Sequence, residues 1–456
     1  AGQANAAEVN ITSDVKVDIA GNTAFKANVE KENVDVNIKA DNTATQSANA
    51  YGLAVGAFFA TGTNLAEVNT ALKTNVNVGS SDASKIKDMD VEAHSKADTA
   101  INSDGSGGGM LDMSPIAAQA ANNVDSETKV NITGTWNVAG DMKVEAVHEN
   151  DIDIIADAVK ASVAGYSGVE SKNEIKNDTG VTFTGAKVTT GGDQDITARN
   201  NIVYNADVTG SGYGGVQGAD VYAKDVMELK ADVSLDEKTE LKAGGLVDIN
   251  ALTTDFTDAG DENSVNGVDK AVTIKSAGLI AGTYAYSDND IKFTNTIDVD
   301  TGSSITTVGT DTGNADITLT AADRTDFTDI VTADTQGGVI GAAGTKLEND
   351  IIRTNAITVG GMVDSNYDAN FDAGDSSVMN LTLRSNAYNK TAAPLVTDPY
   401  ISGTMKQYSS IDFEAGSSVK SLRNINAAAG AGDTTIAKES KTWRWVDGGE
   451  TGTGSI

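Results

Sequence analysis

Residues 128–146 read TKVNITGTWNVAGDMKVEA and contain two short elements that return along the chain. The later element is an aliphatic residue, a variable residue and an alanine, here Val144-Glu145-Ala146. This triplet begins at residues 38, 91, 144, 196 and 249, so it recurs with a period of roughly 53 residues. A fixed period of this length is the sequence signature of a repeat architecture.

The earlier element, Val130-Asn131-Ile132-Thr133, recurs with nearly the same period as the triplet. Its copies begin at positions 76, 130 and 181, and the triplets that follow them begin at positions 91, 144 and 196. Gly140-Asp141 lies between the two elements, and glycine and aspartate are residues that favour turns. Each repeat is therefore expected to contain strands joined by tight turns.

The regularity of the repeat divides the chain into three parts. After residue 251 the period loosens, and the next matches, some of them approximate, are Leu319-Thr320-Ala321, Leu383-Arg384-Ser385 and Phe413-Glu414-Ala415. We therefore predict N-terminal coils or a cap over 1–33, regular repeats over 34–251, and degenerate repeats with insertions and a C-terminal end over 252–456. Surface insertions are compatible with repeat folds because they are accommodated on one face of the stack.

Apolar and polar residues alternate within the repeats, as in Val34-Asp35-Val36-Asn37-Ile38. This period of two is typical of a half-buried strand. The fold class predicted is all-β, a parallel β-helix (β-solenoid) of irregular coils. A repeat of roughly 52–53 residues is long for a single narrow coil, so we expect about two coils per repeat. Roughly 17 coils spaced by about 4.8 Å would form a rod about 80 Å long.

Composition excludes several classes of function. The formal net charge is −32, with 33 basic and 65 acidic residues, whereas nucleic-acid and anionic-lipid binding need a basic surface. Hydrophobic residues make up 39% and aromatic residues 5%, which indicates a narrow core of Val, Ile, Leu and Ala. The chain has no cysteine, so disulfides and thiolate chemistry are excluded. No apolar stretch reaches about 18 residues, so no membrane-spanning helix is predicted.

Catalytic motifs are missing from the sequence, which has no Gly-x-Ser-x-Gly, no Gly-Lys phosphate loop and no His-Glu-x-x-His. The two histidines, His94 and His148, follow equivalent triplets in adjacent repeats and are interpreted as ordinary repeat positions. We therefore predict that the protein is not an enzyme.

One segment resembles a calcium-binding loop. Asp364, Asn366 and Asp368 place oxygen ligands at alternate positions, and Asp375 occupies the twelfth position of the run. Ala369 stands where such loops have glycine, and Asp375 stands where they have a bidentate glutamate. Calcium ligation by these four residues and a polar turn are both open interpretations, and no other cofactor is predicted.

The repeats also carry a family resemblance. Residues 33–56 (NVDVNIKADNTATQSANAYGLAVG), 142–153 (MKVEAVHENDID) and the stretch quoted first resemble the leukotoxin-type filamentous adhesins of anaerobic bacteria. More broadly, they are similar to the haemagglutinin-repeat large exoproteins. The resemblance implies a long extracellular β-solenoid at the bacterial cell surface, with a role in cell adhesion or as a surface fibre. It implies no catalytic residues.

Three functional hypotheses follow. The first is a structural and adhesive role, as the shaft of a bacterial filamentous adhesin or surface fibre. The alternative is a self-assembling filament subunit that polymerises head to tail, because a heterologous contact between open ends propagates without closing. A lesser alternative is a glycan-active β-helix enzyme. The expected partners are another copy or a longer parent chain through the coil ends, and a host or cell-surface ligand; nucleic acid and membrane insertion are not expected.

Overall fold

In the computed structural model, every regular element is a β-strand. The structure describes residues 2–26, 33–254, 268–309, 315–446 and 449–455, and no helix occurs among them. In chain order the strands are β1 (Gly2–Ile19), β2 (Ala24–Lys26), β3 (Val34–Val138), β4 (Met142–Thr190), β5 (Gln194–Asp236), β6 (Glu240–Ala243), β7 (Val247–Thr254), β8 (Val268–Val299), β9 (Ser304–Thr307), β10 (Ile317–Gln336), β11 (Ile340–Val359), β12 (Met362–Ser365), β13 (Asp368–Ala373), β14 (Val378–Lys390), β15 (Ala393–Phe413), β16 (Ser418–Ser421), β17 (Asn424–Ala429), β18 (Asp433–Val446) and β19 (Gly449–Ser455).

Parallel pairing joins each repeat to the next at an offset of one whole repeat. Met89 lies beside Met142, Met142 beside Gln194, and Gln194 beside Val247. The prediction of two coils per repeat is therefore wrong, because two coils would pair residues only half a repeat apart. Each repeat supplies a single layer, the term used below for the chain between one of these residues and its partner.

A layer is wide because the chain runs out along one long face and returns along a second. In the layer that begins at Gln194, residues 194–213 form the first face, 216–236 the second face, and β6 a short third face. The buried Tyr204 hydroxyl donates a hydrogen bond of 2.7 Å to the buried Asp225 carboxylate, so the two long faces lie opposite each other.

The turn between the long faces requires glycine. Gly214 has a φ of +156°, and a Cβ atom there would lie only 1.5 Å from the carbonyl oxygen of Ser162 in the preceding layer. Any larger residue would push the layers apart, because stacked parallel strands are about 4.8 Å from one another.

The stack is broader than it is tall. First-face segments occur in β3 (twice), β4, β5, β7, β10, β13 and β17, which makes eight layers in the described part of the chain. At about 4.8 Å per layer the height is roughly 35 Å, whereas a face of about 21 residues spans roughly 70 Å. The prediction of a long, narrow rod is therefore also wrong, because each repeat forms one wide layer instead of two narrow coils.

The interior holds two apolar clusters with a polar column between them. One cluster packs beside the short face and includes Val144, and the other lies towards Gly214 and includes Ile154. In the column, hydroxyl groups of one layer contact first-face side chains of the next: Thr74 with Ser95 (2.5 Å), Thr128 with His148 (3.3 Å) and Thr179 with Asn200 (2.7 Å). Buried polar groups need such partners, since an unsatisfied one destabilises the fold.

Buried ion pairs also cross the interior. Lys270 lies 2.6 Å from Asp225, and Arg353 lies 2.5 Å from Asp323, with all four side chains almost fully buried. The core is thus wider and more polar than the aliphatic core that composition indicated.

One layer is longer than the rest. Val247 pairs with Ile317, whereas Ile317 pairs with Ala369, so the first of these two layers contains more residues than the second. The additional residues lie between β7 and β8 and between β9 and β10, and 255–267 and 310–314 fall outside the described residues. At the other end, β1 pairs with residues 61–78 of the second face, so the N-terminal segment begins an incomplete layer.

Candidate binding groove

The four sequence-predicted calcium ligands lie close together in sequence but on different local elements. Asp364 is in β12, Asn366 is in the bend that follows, Asp368 begins β13, and Asp375 is in the turn after β13. The amide nitrogen of Asn366 donates to the carbonyl oxygen of Gly309 (2.9 Å), which holds this side chain against the preceding layer.

Asp368 already has a cationic partner. The Arg423 Nε atom donates to Asp368 Oδ1 at 2.9 Å, and the backbone N–H of Asn424 donates to the same oxygen at 3.0 Å. The hydrogen bond from Arg423 lowers the pKa of the Asp368 carboxyl below its usual range. Calcium binding here stays a prediction, and a bound ion would compete with the guanidinium for Asp368.

A second group of possible metal ligands lies on the first face. The ligand atoms of Asp41, Glu92 and His94 come within 4.8 Å of one another, the one such group in the described ranges. Lys39 Nζ is 3.3 Å from Asp41 and 3.1 Å from Glu92, and His94 Nε2 is 3.4 Å from Glu149. The hydrogen bond with Glu149 raises the pKa of His94. These contacts describe a surface ion-pair network across three layers.

The outer side of the second face carries a cluster of tyrosines near the turn at Gly214. The inward neighbours Val221, Ala223 and Ala285 are buried, so Tyr222, Tyr284 and Tyr286 point outward.

Parallel register places Tyr222 beside Tyr286, with ring centroids 5.1 Å apart. Lys346 follows in the next layer with its Nζ 4.7 Å from the Tyr286 ring centroid, and Tyr400 lies beside Lys346 one layer further.

Glycines give the tyrosine rings room to lie flat against the next layer. A Cβ atom on Gly344 would lie 3.0 Å from Cδ2 of Tyr284, and one on Gly218 would lie 3.0 Å from Cδ2 of Tyr166. Each ring therefore covers a glycine that is its direct strand partner. The side chains are positioned by the strands themselves, and the rings are held on a rigid surface.

Two depressions adjoin each other beside Tyr284. One has a volume of about 330 Å³ and is lined by Ile116, Gly168, Val169, Glu170, Asp220, Val221, Tyr222, Tyr284 and Tyr286. The other has a volume of about 390 Å³ and is lined by Thr283, Tyr284, Ala342, Ala343, Gly344, Thr345, Lys346, Val396, Asp398 and Tyr400. We call the two together the tyrosine groove. It crosses the strands and follows the stacking direction.

The rim of the groove is rich in hydrogen-bond acceptors. Glu170, Asp220 and Asp398 line it, and Glu348 accepts a hydrogen bond of 2.6 Å from the Tyr286 hydroxyl. Desolvation and, for Tyr286, the hydrogen bond to Glu348 raise the pKa of the Tyr284 and Tyr286 phenols. Both hydroxyls therefore stay protonated at neutral pH and remain donors.

Asp220 has an acceptor atom without a donor. Desolvation raises the pKa of its carboxyl, an effect opposed by the hydrogen bond from Tyr166. Its Oδ1 atom finds no hydrogen-bond partner among the described residues. This oxygen is shielded from solvent, so it is not a contact atom for a ligand in the groove.

The tyrosine groove is not predicted from the sequence, because neither of the two recurring elements contains a tyrosine. The usable signal was the outward pair Tyr284-Ala285-Tyr286 in an alternating strand. Tyr222 and Gly344 can be assigned to the same site as this pair only when the strand register across the long layer is known.

An apolar ridge runs along the edge of the stack next to the groove. Exposed aliphatic side chains recur there in successive layers: Val163, Val216, Leu279, Val339 and Leu395. Leu279 has 63% of its surface exposed. Contiguous exposed apolar surface of this kind is typical of contact surfaces.

The described residues form an all-β protein with long parallel strands, consistent with the β-helix class. No family model, curated protein or solved structure matches the chain. Among the residues that the structure describes, none forms a helix with the length and apolar character needed to cross a membrane.

Proposed function

We propose that this chain is an extracellular structural and adhesive β-solenoid, a segment of the shaft of a bacterial filamentous adhesin or surface fibre. The observation that carries the proposal is the in-register parallel pairing of entire repeats, as between β4 and β5. Repeats that contact only their neighbours build elongated bodies whose length grows with repeat number.

Mechanical resistance follows from the pairing. β4 and β5 are joined from Met142–Gln194 through Thr184–Asp236, so a long ladder of backbone hydrogen bonds and a continuous core must open together. The net charge of −32 favours solubility and suppresses non-specific association between shafts. The tyrosine groove supplies a defined contact surface on an otherwise acidic body.

Electron microscopy of the full chain tests this proposal. We expect discrete particles about 35 Å by 70 Å, with parallel layers about 4.8 Å apart, with or without calcium. A compact globule without stacked layers would contradict the proposal. Growth of particles only after calcium addition would instead assign an assembly role to the predicted calcium ligands.

The head-to-tail alternative meets an obstacle at one edge of the stack. In the described residues β15 pairs only with β11, so it is an edge strand. The N–H of Ala393 donates to Val339, and that of Glu414 donates to Val359. N–H groups alternate along a strand, and the register shift just after Pro394 reverses that alternation. The nitrogens of Pro394 and Pro399 therefore both face the open edge, where proline removes a donor.

Restoring these donors is expected to promote association. The variant Pro394→Thr/Pro399→Thr offers two more N–H groups to a neighbouring strand and should form larger species at high concentration in sedimentation velocity. The wild-type chain over the same concentrations is the control and should sediment as one species. Filaments formed by the wild-type chain would instead support the self-assembling subunit.

A further inference from the structure

We propose that the tyrosine groove binds a short, uncharged saccharide chain lying along the stacking direction. This inference rests on the proposed adhesive function and names its ligand class. The site consists of Tyr222, Tyr284, Tyr286 and Tyr400, the glycine floor at Gly344, and the carboxylates on the rim.

The rings provide flat apolar platforms. Tyr284 and Tyr400 have 45% and 49% of their surface exposed, although both project from continuous strands. An aromatic face packs well against the apolar C–H face of a pyranose ring, while its hydroxyl still reaches polar groups. Because the strands fix the rings beforehand, little side-chain freedom is lost on binding.

The rim selects a ligand that donates hydrogen bonds. The carboxylate-bearing residues Glu170, Asp220 and Asp398 line the groove. The ammonium of Lys346 is already 2.7 Å from Glu348. Sugar hydroxyls donate hydrogen bonds to carboxylates, whereas a proline-rich segment, the other common ligand of aromatic grooves, lacks N–H groups.

Charge narrows the ligand class further. Glu170, Asp220 and Asp398 line the two depressions, and Lys346 is the one cation among the described residues that line them. Lys172, outside the lining, pairs with Glu170 at 2.7 Å, so Asp220 and Asp398 carry the charge argument. Like charges repel strongly where solvent is displaced, so uronic, sialylated or sulfated chains are disfavoured. The uncharged hexose polymers that coat cells and extracellular matrices fit this rim.

The layer spacing defines the direction and length of the bound chain. Tyr222, Tyr286, Lys346 and Tyr400 occupy the same position in four successive layers. Three intervals of about 4.8 Å place the outer two platforms roughly 14 Å apart. That distance accommodates a few sugar units, with Tyr284 as the wall shared by both depressions.

The test is calorimetric titration of the full chain with uncharged oligosaccharides of glucose, mannose and galactose. Sialyllactose, a heparin oligosaccharide and a polyproline peptide serve as competing classes. We expect binding of at least one uncharged oligosaccharide and weaker or no binding of the other classes. Binding of only an anionic glycan or only the peptide would overturn the proposal, as would no binding at all.

Matched variants locate the site. Tyr284→Ala and Tyr400→Ala should each weaken binding roughly tenfold, whereas Tyr284→Phe, which keeps the ring, should retain most of it. Tyr408→Ala removes an even more exposed tyrosine of β15 outside the groove and should leave binding unchanged. An equal loss in the Tyr408→Ala variant would contradict the assignment.

Two glycine variants provide a test that leaves the tyrosines in place. Gly344→Val should abolish binding, because its Cβ atom would lie only 3.0 Å from Cδ2 of Tyr284 and the larger side chain would push the ring away. Gly282→Ala should bind normally, since a Cβ atom there meets nothing within 4 Å. Unfolding midpoints of both variants verify that the stack is intact. Unimpaired binding by Gly344→Val would place the ligand elsewhere.

Product analysis separates binding from cleavage. Incubation with the bound oligosaccharide should release no shorter sugars, and their appearance would overturn a purely adhesive site. If no saccharide binds while electron microscopy still reveals the layered body, the ligand proposal fails and the structural proposal stands.

Discussion

A chain carrying Lys270→Met is expected to be about 3–5 kcal/mol less stable than the wild type, because the change leaves a buried carboxylate without its counter-ion. Lys270 Nζ donates to Asp225 at 2.6 Å and to Asn289 at 2.9 Å inside the stack. The Tyr204 hydroxyl donates to the other Asp225 oxygen but cannot neutralise its charge. Urea-induced unfolding of the full chain, followed by far-UV circular dichroism, measures the loss.

Two controls isolate the buried charge. The double variant Lys270→Met/Asp225→Asn removes both charges and should recover much of the stability, since no isolated ion remains. Lys187→Met breaks a pair at 3.0 Å whose side chains are more than half exposed, and should cost less than about 1 kcal/mol. If Lys270→Met costs no more than Lys187→Met, Lys270 and Asp225 do not form a buried ion pair.

Acid is expected to weaken the stack through His148. Desolvation lowers the pKa of this fully buried imidazole to about 4, against 6.5 for the ordinary value. Between these pH values the unfolded chain binds the proton and the folded chain does not. The contribution of neutral His148 to the free energy of unfolding is thus fully present above pH 6.5. It is lost as pH falls towards 4, by about 3 kcal/mol in total.

The neighbouring layers supply the matched variant. Ser95 and Asn200 are the strand partners of His148, so His148→Asn places in this layer the residue that the next layer uses. The difference in unfolding free energy between wild type and His148→Asn should change with pH between 6.5 and 4. A difference that is constant with pH would mean that His148 is protonated in the folded chain or not buried.

The pH dependence of stability expected from His94 has the opposite sign. Its pKa is raised by the hydrogen bond with Glu149, so its contribution is present below the unfolded pKa and is lost as pH rises through the folded pKa. The two histidines come from equivalent stretches of adjacent repeats, yet one faces water and the other the interior. A shift of one residue between their positions reverses the face, as strand alternation requires.

The alternating pattern and the regular repeat period were enough to predict an all-β chain with repeated strands. They could not fix the number of layers per repeat, because one wide layer and two narrow coils contain the same alternation. Tyr204 and Asp225 resolve the question only in three dimensions, since their contact defines the opposed faces. Inward polar residues such as Lys270 and Arg353 follow the alternation but not the expected aliphatic chemistry.

The strand register after the long layer could not be predicted from the triplet, because the residue types of the triplet change there. Phe371-Asp372-Ala373 pairs with Leu319-Thr320-Ala321, so an aromatic residue occupies the aliphatic position of the triplet there. Leu383-Arg384-Ser385, the approximate match in this part of the sequence, lies beside Asp329-Ile330-Val331 and so belongs to a different position of the layer. The tyrosine groove depends on this register, because Tyr284 and Gly344 are distant in sequence and meet only as strand partners.

Single-molecule extension of the full chain from its two ends tests whether each repeat forms one layer. Peeling one regular layer of about 53 residues should release roughly 180 Å of chain, and the long layer of about 70 residues roughly 240 Å. We expect a series of such steps, each with its own rupture force. Steps of half this length, or a single release of the whole chain, would contradict it.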